Sequence, residues 1–299
     1  MKRILLLPAL LLLVGWTAAP LPRLKGFGPM TQPGFQRVAR VSVAAAPSYT
    51  MPVASYVIMI DAVDYTDGGV GSGAIVIDRS GNGYNLTTNV ESFKPAKGTD
   101  SHGTYMQSTG GDVLGYSDGS YHGINSANPF GYCSLAIIAV FQPSLPSQDG
   151  VLCSLDGDVF HRDAYFSQTD NAKQGWTWES YYYYGQNTYY ATTTPSIVSY
   201  EWLGSSYDVG TITCRINGYQ VWSDNASGSA YRVGAFRQFN KLSVFGEARG
   251  YPSASIYGSH AGTRLYYWSM WIIPNTGDAS GTIRQAERFL GNRYGVTIP

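Results

Sequence analysis

Tyr132-Cys133-Ser134-Leu135-Ala136-Ile137-Ile138-Ala139-Val140-Phe141 is the longest strand pattern in the first half of this 299-residue chain. Cys133, Leu135, Ile137, Ala139 and Phe141 fall on alternate positions, so they share one face of an extended backbone. Similar runs flank it on both sides: 54–60 and 73–77 before it, then 151–155, 176–184, 196–203, 211–216, 241–245 and 263–273. Each is bounded by Gly, Asn, Asp or Pro. Recurrent short strands separated by turn residues predict an all-β sandwich or barrel rather than a helical or α/β domain.

Composition agrees. Thirty-five Gly and 24 Tyr, with charged residues only 13% of the chain, suit strands and tight turns better than long helices. The 44% apolar content is enough for a core, which excludes disorder over the whole length. Twenty basic and twenty acidic residues cancel, which argues against a protein-wide surface for nucleic acid. The balance is uneven along the chain: residues 1–60 hold six basic and no acidic side chains, so the rest carries −6.

That basic part has two segments. Met1-Lys2-Arg3 followed by an apolar run at 4–16 and Thr17-Ala18-Ala19 has the pattern of a secretory signal peptide, with a retained apolar anchor as the competing explanation. Residues 20–53 hold six Pro and four Arg or Lys without sustained periodicity, and read as an extended arm or linker. Such an arm suits an acidic partner or a membrane; its four charges are too sparse for specific nucleic-acid binding. The expected organisation is therefore a leader at 1–19, an arm at 20–53 and one sandwich domain at 54–299.

Two turns and one helix can be placed. Asn217-Gly218 between alternating runs predicts a type I′ hairpin, whose central residues both need positive φ. Asp156-Gly157-Asp158 predicts a second hairpin. Near the end, Ile283, Ala286, Leu290 and Tyr294 recur on one helical face, with Phe289 widening the stripe, Asp278 and Ser280 as N-cap residues and Gly295 as the closing residue. Arg284, Gln285, Glu287 and Arg288 fall off that stripe, which must dock on the sandwich.

Cys133, Cys153 and Cys214 lie in alternating strand patterns, which predicts buried thiols; a Cys133–Cys153 bridge is the one pairing left open.

Asp78-Arg79-Ser80-Gly81-Asn82-Gly83-Tyr84-Asn85-Leu86, the Asn217-Gly218 hairpin and the closing Ala286-Glu287-Arg288-Phe289-Leu290-Gly291-Asn292-Arg293-Tyr294-Gly295 resemble, in that order, the concanavalin A-like lectin/glucanase superfamily in its laminin-G-like bacterial and phage branch. The resemblance implies a jelly-roll sandwich of two antiparallel sheets with one short C-terminal helix. It leaves function open among lectins, polysaccharide hydrolases, adhesion modules and virion surface proteins.

Glucanases of this fold need paired carboxylates on one strand face. The five Glu (91, 179, 201, 247, 287) are at least 22 positions apart, and the spacing of Asp61, Asp64 and Asp67 puts neighbours on opposite strand faces. Four scattered His (102, 122, 161, 260) lack zinc-site companions, and Gly115-Tyr116-Ser117-Asp118-Gly119 lacks the helical sequel of a nucleophile elbow. No enzyme and no obligatory cofactor is expected. Calcium, which relatives of this resemblance bind at a sandwich rim, would fall to Asp156, Asp158 and Asp163. The strongest surface feature is the aromatic run Trp176 to Tyr184, followed by Tyr189-Tyr190. Trp176, Trp178, Tyr182 and Tyr184 form one row, a candidate contact for glycan or a neighbouring subunit, and one of the run's two rows must pack in the core.

These readings predict a non-catalytic lectin-like sandwich displayed at a surface. It would act in adhesion and glycan binding or as a capsid or tail decoration component of a phage virion, self-association included. The alternatives are a secreted bacterial carbohydrate-binding protein and a polysaccharide hydrolase. The expected location is accordingly a virion surface or an exported compartment.

Overall fold

A computed structural model describes residues 50–52, 54–119, 122–123, 134–144, 150–157, 163–169, 173–178, 189–190, 194–206, 209–227, 238–246, 261–273 and 279–299. The leader, the arm up to residue 49, Cys133, Asp158, His161, Tyr181 to Tyr184 and His260 lie outside them. The described residues are almost wholly antiparallel β-structure with one helix, as the strand patterns predict.

One half of the fold runs, in spatial order, β15 (Tyr219–Ser227), β14 (Val209–Ile216), β13 (Ser196–Ser206), β8 (Ser134–Gln142), β17 (Arg264–Ile273) and β1 (Ser55–Thr66). The other runs β2 (Ala74–Asp78), β3 (Leu86–Thr88), β6 (Leu114–Tyr116), β16 (Gln238–Val244), β9 (Gly150–Gly157), β10 (Asp163–Thr169), β11 (Lys173–Trp178) and β12 (Tyr189–Tyr190). A two-residue strand, β7 (His122–Gly123), extends the edge of β16, and the hairpin of β4 (Ala96–Asp100) and β5 (Gly103–Gln107) pairs with the start of β17. Strand β1 belongs to both halves: its beginning pairs with β17, and Ile60, Tyr65 and Thr66 pair with β2. A single core contains Leu135, Ile137, Ala139 and Phe141 of the first half together with Leu86, Leu114, Leu242 and Val244 of the second. The hydrogen-bonded ribbon is thus folded onto itself as a sandwich.

Strand β8 is apolar on both faces, and the second face has its own cover. Ala136, Ile138 and Val140 pack with Ile197, Trp271 and Ile273 beneath α1 (Ala279–Tyr294), which contributes Ile283, Ala286, Leu290 and Tyr294, the stripe read from the sequence. Gly295 is left-handed (φ 68°) and Val296 N–H donates to the Gly291 carbonyl at 2.9 Å, the closing bond of a Schellman end. Asn217 (φ 50°) and Gly218 (φ 79°) form the predicted turn between β14 and β15. The Asn217 side chain also accepts from Ile197 N–H at 2.8 Å, tying the turn to β13.

Four expectations are corrected. Glu287, placed off the helical stripe by residue type, is fully buried: its carboxylate accepts from Ser199 Oγ at 2.5 Å and from Arg284 Nη1 at 2.7 Å. Asp61 and Asp64 share the outer face, because β1 changes register between Ile60 and Tyr65 and the core-facing set passes from Ile60 and Ala62 to Tyr65. Arg79 therefore reaches both, donating to Asp61 at 2.8 Å and to Asp64 through two nitrogens, while Arg293 from the helix end joins Asp61 at 2.6 Å. Asp156, expected in a turn, is the strand residue opposite Asp163 in the β9–β10 pair. Strand β16 stops at Val244, short of its expected end, because the buried Phe245 adopts φ 63°.

Cys153 and Cys214 are free, buried thiols, so the Cys133–Cys153 pairing left open by the sequence is not made. Burial pushes both thiols up, Cys214 to about 12, which suppresses the reactive thiolate. Iodoacetamide at pH 8 is expected to leave the Cys153 and Cys214 peptides unmodified in native protein and to label both in 6 M guanidinium. Native-state labelling of either, read by peptide mass mapping, would contradict this packing.

Candidate functional site

The D-x-S-G-x-G-x-N turn supplies the first piece of the site. Asp78 at the end of β2 is nearly buried and accepts four hydrogen bonds: Met59 N–H (3.0 Å) and Ser80 N–H (2.9 Å) on Oδ1, Ser80 Oγ (2.7 Å) and Tyr84 N–H (3.1 Å) on Oδ2. Asn85 accepts from Asp78 N–H at 2.9 Å, and Asn82 donates to the carbonyls of Tyr56 and Val57. Gly81 (φ 88°) and Gly83 (φ 80°) provide the left-handed backbone that lets the chain wrap its own carboxylate. The motif's polar residues are thereby consumed in holding the turn, and what the turn presents is Tyr84.

Tyr116, Asp118 and His122 supply the rest. Strands β6 and β7 lie along one neighbour, β16, with Tyr116 opposite Leu242 and His122 opposite Phe239. Tyr84 stands 5.1 Å, centroid to centroid, from each of Tyr116, His122 and Phe239, and His122 is 5.6 Å from Tyr116 and from Phe239. All these rings are tilted or edge-on to one another. Phe239 is fully buried and floors the group; Tyr84, Tyr116 and His122 are half-buried around it, at the rim of the sandwich core.

Asp118 closes the polar side. Tyr116 hydroxyl donates to Asp118 Oδ2 at 2.9 Å, and His122 Nε2 lies 3.0 Å from Asp118 Oδ1 and 3.3 Å from the Tyr116 oxygen. An ionised carboxylate only accepts, so Nε2 carries the hydrogen. Burial, reinforced by the hydrogen bond to Asp118, pushes the Tyr116 phenol to about 12; burial with the charges of Asp78 and Asp118 raises Tyr84 as well. Both shifts favour the neutral phenol.

Buried acids elsewhere serve packing. Glu201 pairs with Arg215 at 3.2 Å, and Glu287 is held between α1 and β13. At the β4–β5 hairpin, Asp100 binds Tyr266 hydroxyl at 2.7 Å and Arg264 at 3.0 Å, with Arg264 lying 4.4 Å over the Tyr105 ring. Burial works against that carboxylate, but the bonds from Tyr266 and His102 N–H and the charge of Arg264 hold it below its ordinary range.

Trp176 and Trp178 lie on β11, in register with Phe166 and Ala164 of β10; Tyr182 and Tyr184 fall outside the described residues. Of the calcium set, Asp156 and Asp163 face one another across β9 and β10 and Asp158 is not described; among the described residues no group of three or more His, Cys, Asp or Glu comes together. The Gly-x-Ser-x-Gly match runs from a strand into another strand, so it forms no nucleophile elbow. The same five residues nevertheless hold Tyr116 and Asp118. The signal in the sequence is the tyrosine, carboxylate and histidine spaced around Gly119 (φ 81°), not Ser117.

No family model matches the sequence, and no curated protein matches it. Among solved structures, a Trypanosoma rangeli sialidase in complex with 2,3-difluorosialic acid matches with TM-score 0.50 and 9% identity, over 82% of this chain and 34% of that one. A botulinum neurotoxin type C structure, whose cell entry depends upon interaction with two ganglioside molecules, matches with TM-score 0.50 and 9% identity, over 79% of this chain and 51% of that one. The chain thus spans about a third of the sialidase and half of the toxin chain. At this identity the likeness establishes a shared sheet-rich fold.

Proposed function

We propose that this chain is a non-catalytic carbohydrate-binding sandwich of the concanavalin A-like type, displayed at a surface, and that Tyr84, Tyr116, Asp118 and His122 form its glycan contact. The carrying observation is the group of half-buried rings around one carboxylate at the sandwich rim. Aromatic faces take the C–H faces of sugar rings, while a carboxylate and a phenol fix hydroxyls. Most retaining and inverting glycosidases place two acidic groups across the bond, and this group presents one, Asp118, so we read it as a contact. The glycan-related neighbours are compatible with this reading.

A glycan array decides it. Wild-type protein is expected to retain a defined glycan set, and Tyr84→Ala and Tyr116→Ala each to weaken retention about tenfold or more, with the fold verified by circular dichroism. If both variants bind like wild type while Trp176→Ala with Trp178→Ala abolishes binding, the contact belongs to the β11 row instead. In this proposal the apolar leader and basic arm tether the sandwich to a virion or cell envelope. Mass spectrometry of the natural protein tests the setting: an intact Met1 in a particle supports the virion, and a mature start near residue 20 supports secretion.

A further inference from the structure

Asn-Gly occurs twice in the chain, at Asn82-Gly83 and Asn217-Gly218, and the fold holds the two pairs in opposite ways. Asparagine before glycine deamidates readily, because no Cβ hinders the glycine nitrogen as it closes on the asparagine side chain. At Asn217 that closure is blocked. Its N–H donates to the Ile197 carbonyl and its Oδ1 accepts from Ile197 N–H, both at 2.8 Å. Gly218 is buried, with Arg284 and Ile298 standing where a Cβ would be. Asn82 and Gly83 are both exposed, and the space beside Gly83 is open. Asn82 Nδ2 donates to the carbonyls of Tyr56 at 2.8 Å and Val57 at 2.9 Å, where the pairing of β1 with β17 is itself irregular. Fraying of that strand start releases the side chain, and it costs less than parting β13 from the β14–β15 turn.

We infer that Asn82-Gly83 is a site of spontaneous deamidation, that Asn217-Gly218 is protected by its packing, and that the change at Asn82 displaces Tyr84. Gly83 N, having lost its proton to solvent base, attacks Asn82 Cγ; the N–Cγ bond forms, the Cγ–Nδ2 bond breaks, and the nitrogen leaves as ammonia with a proton from solvent. Water then opens the cyclic imide, at Cγ to give aspartate or at the Asn82 main-chain carbon to give isoaspartate. Aspartate turns a carboxylate on the two carbonyls in place of a donor. Isoaspartate lengthens the main chain by one methylene inside the loop that Asp78 closes through Ser80 N–H and Tyr84 N–H. The effect on binding rests on the glycan-binding reading above; the modification does not.

The test holds full-length wild type in mildly alkaline buffer for weeks and follows the gain of about 1 Da by peptide mass mapping, with fragmentation to separate Asn82 from Asn85 and Asn89. Asn82 is expected to convert about fivefold or more faster than Asn217 in native protein, and the two to converge within about twofold in guanidinium, where both are simply Asn-Gly. Native conversion of Asn217 as fast as Asn82, or conversion of Asn82 only after unfolding, would overturn the inference. On the glycan array, retention should fall in step with conversion at Asn82, whereas Asn82→Gln, whose side chain cyclises far more slowly, should keep through the same weeks whatever retention it starts with. Full retention by converted protein would overturn the displacement of Tyr84 while leaving the modification intact. Fresh wild type that retains no glycan would overturn the glycan-binding reading, and the mass map would still decide the modification.

Discussion

Glu287→Ala is expected to cost about 3–5 kcal/mol, among the largest losses available from one side chain, although the residue sits on a helix that the sequence shows as amphipathic. The carboxylate is fully buried between α1 and β13, where it accepts from the equally buried Ser199 and from Arg284. Arg284 also donates to the carbonyls of Gly218 and Pro299, so one acidic group anchors a bridge from the helix to the β14–β15 turn and the chain end. Removal strands the Ser199 hydroxyl in an apolar layer and leaves the guanidinium without its countercharge. Against a typical stability of about 5–15 kcal/mol, the loss should lower Tm by roughly 10 °C or more. Glu287→Gln preserves an acceptor for Ser199 and should cost about half as much. Urea unfolding followed by tryptophan fluorescence measures both; an unchanged midpoint for Glu287→Ala would show that apolar packing alone holds the helix.

Asp78→Ala should be comparably severe, at about 3–4 kcal/mol, for a different reason. Four donors converge on this side chain, three of them backbone N–H groups, and alanine supplies no acceptor. A buried donor left without a partner costs about 1–3 kcal/mol, and water entering the loosened turn recovers part of the sum. Asp78→Asn retains one acceptor oxygen and should fall between the two. Because Tyr84 N–H is one of the four donors, the same substitution should also weaken glycan retention, more than the stability loss alone would produce at temperatures where the variant is folded. Denaturant titration and array binding on one preparation separate the effects; wild-type binding by a destabilised variant would mean that Tyr84 is positioned by its ring contacts rather than by Asp78.

Strands with long apolar runs bounded by turn residues, such as β8 and β17, were legible, as were the Asn217-Gly218 turn and the helical stripe, because each is dictated by a run, a period or a backbone requirement that a few adjacent residues express. Three features were not. The parity change in β1 comes from a local irregularity that no side chain announces, and it reversed the expected separation of Asp61 and Asp64. Glu287 was sorted to the solvent face by its charge, whereas its burial depends on Ser199, 88 positions away. The Tyr84–Tyr116–His122 group joins three segments with the floor residue Phe239, and it exists only because β6 lies between β3 and β16 while β7 pairs further along β16. A run such as Trp176 to Tyr184 advertises itself in the sequence, while a site assembled by strand order does not.

Strand β17 also has a consequence for biogenesis. It lies between β1 and β8 and receives β5 at its start, yet it is the last strand of the described residues to leave the ribosome. Until residues 264–273 emerge, the first half of the sandwich lacks its middle, and α1 has no completed floor to rest on. Long-range pairing of this kind makes closure a late and slow event. Folding of the described strands should therefore wait on residues 264–273, however much of the preceding chain is already free.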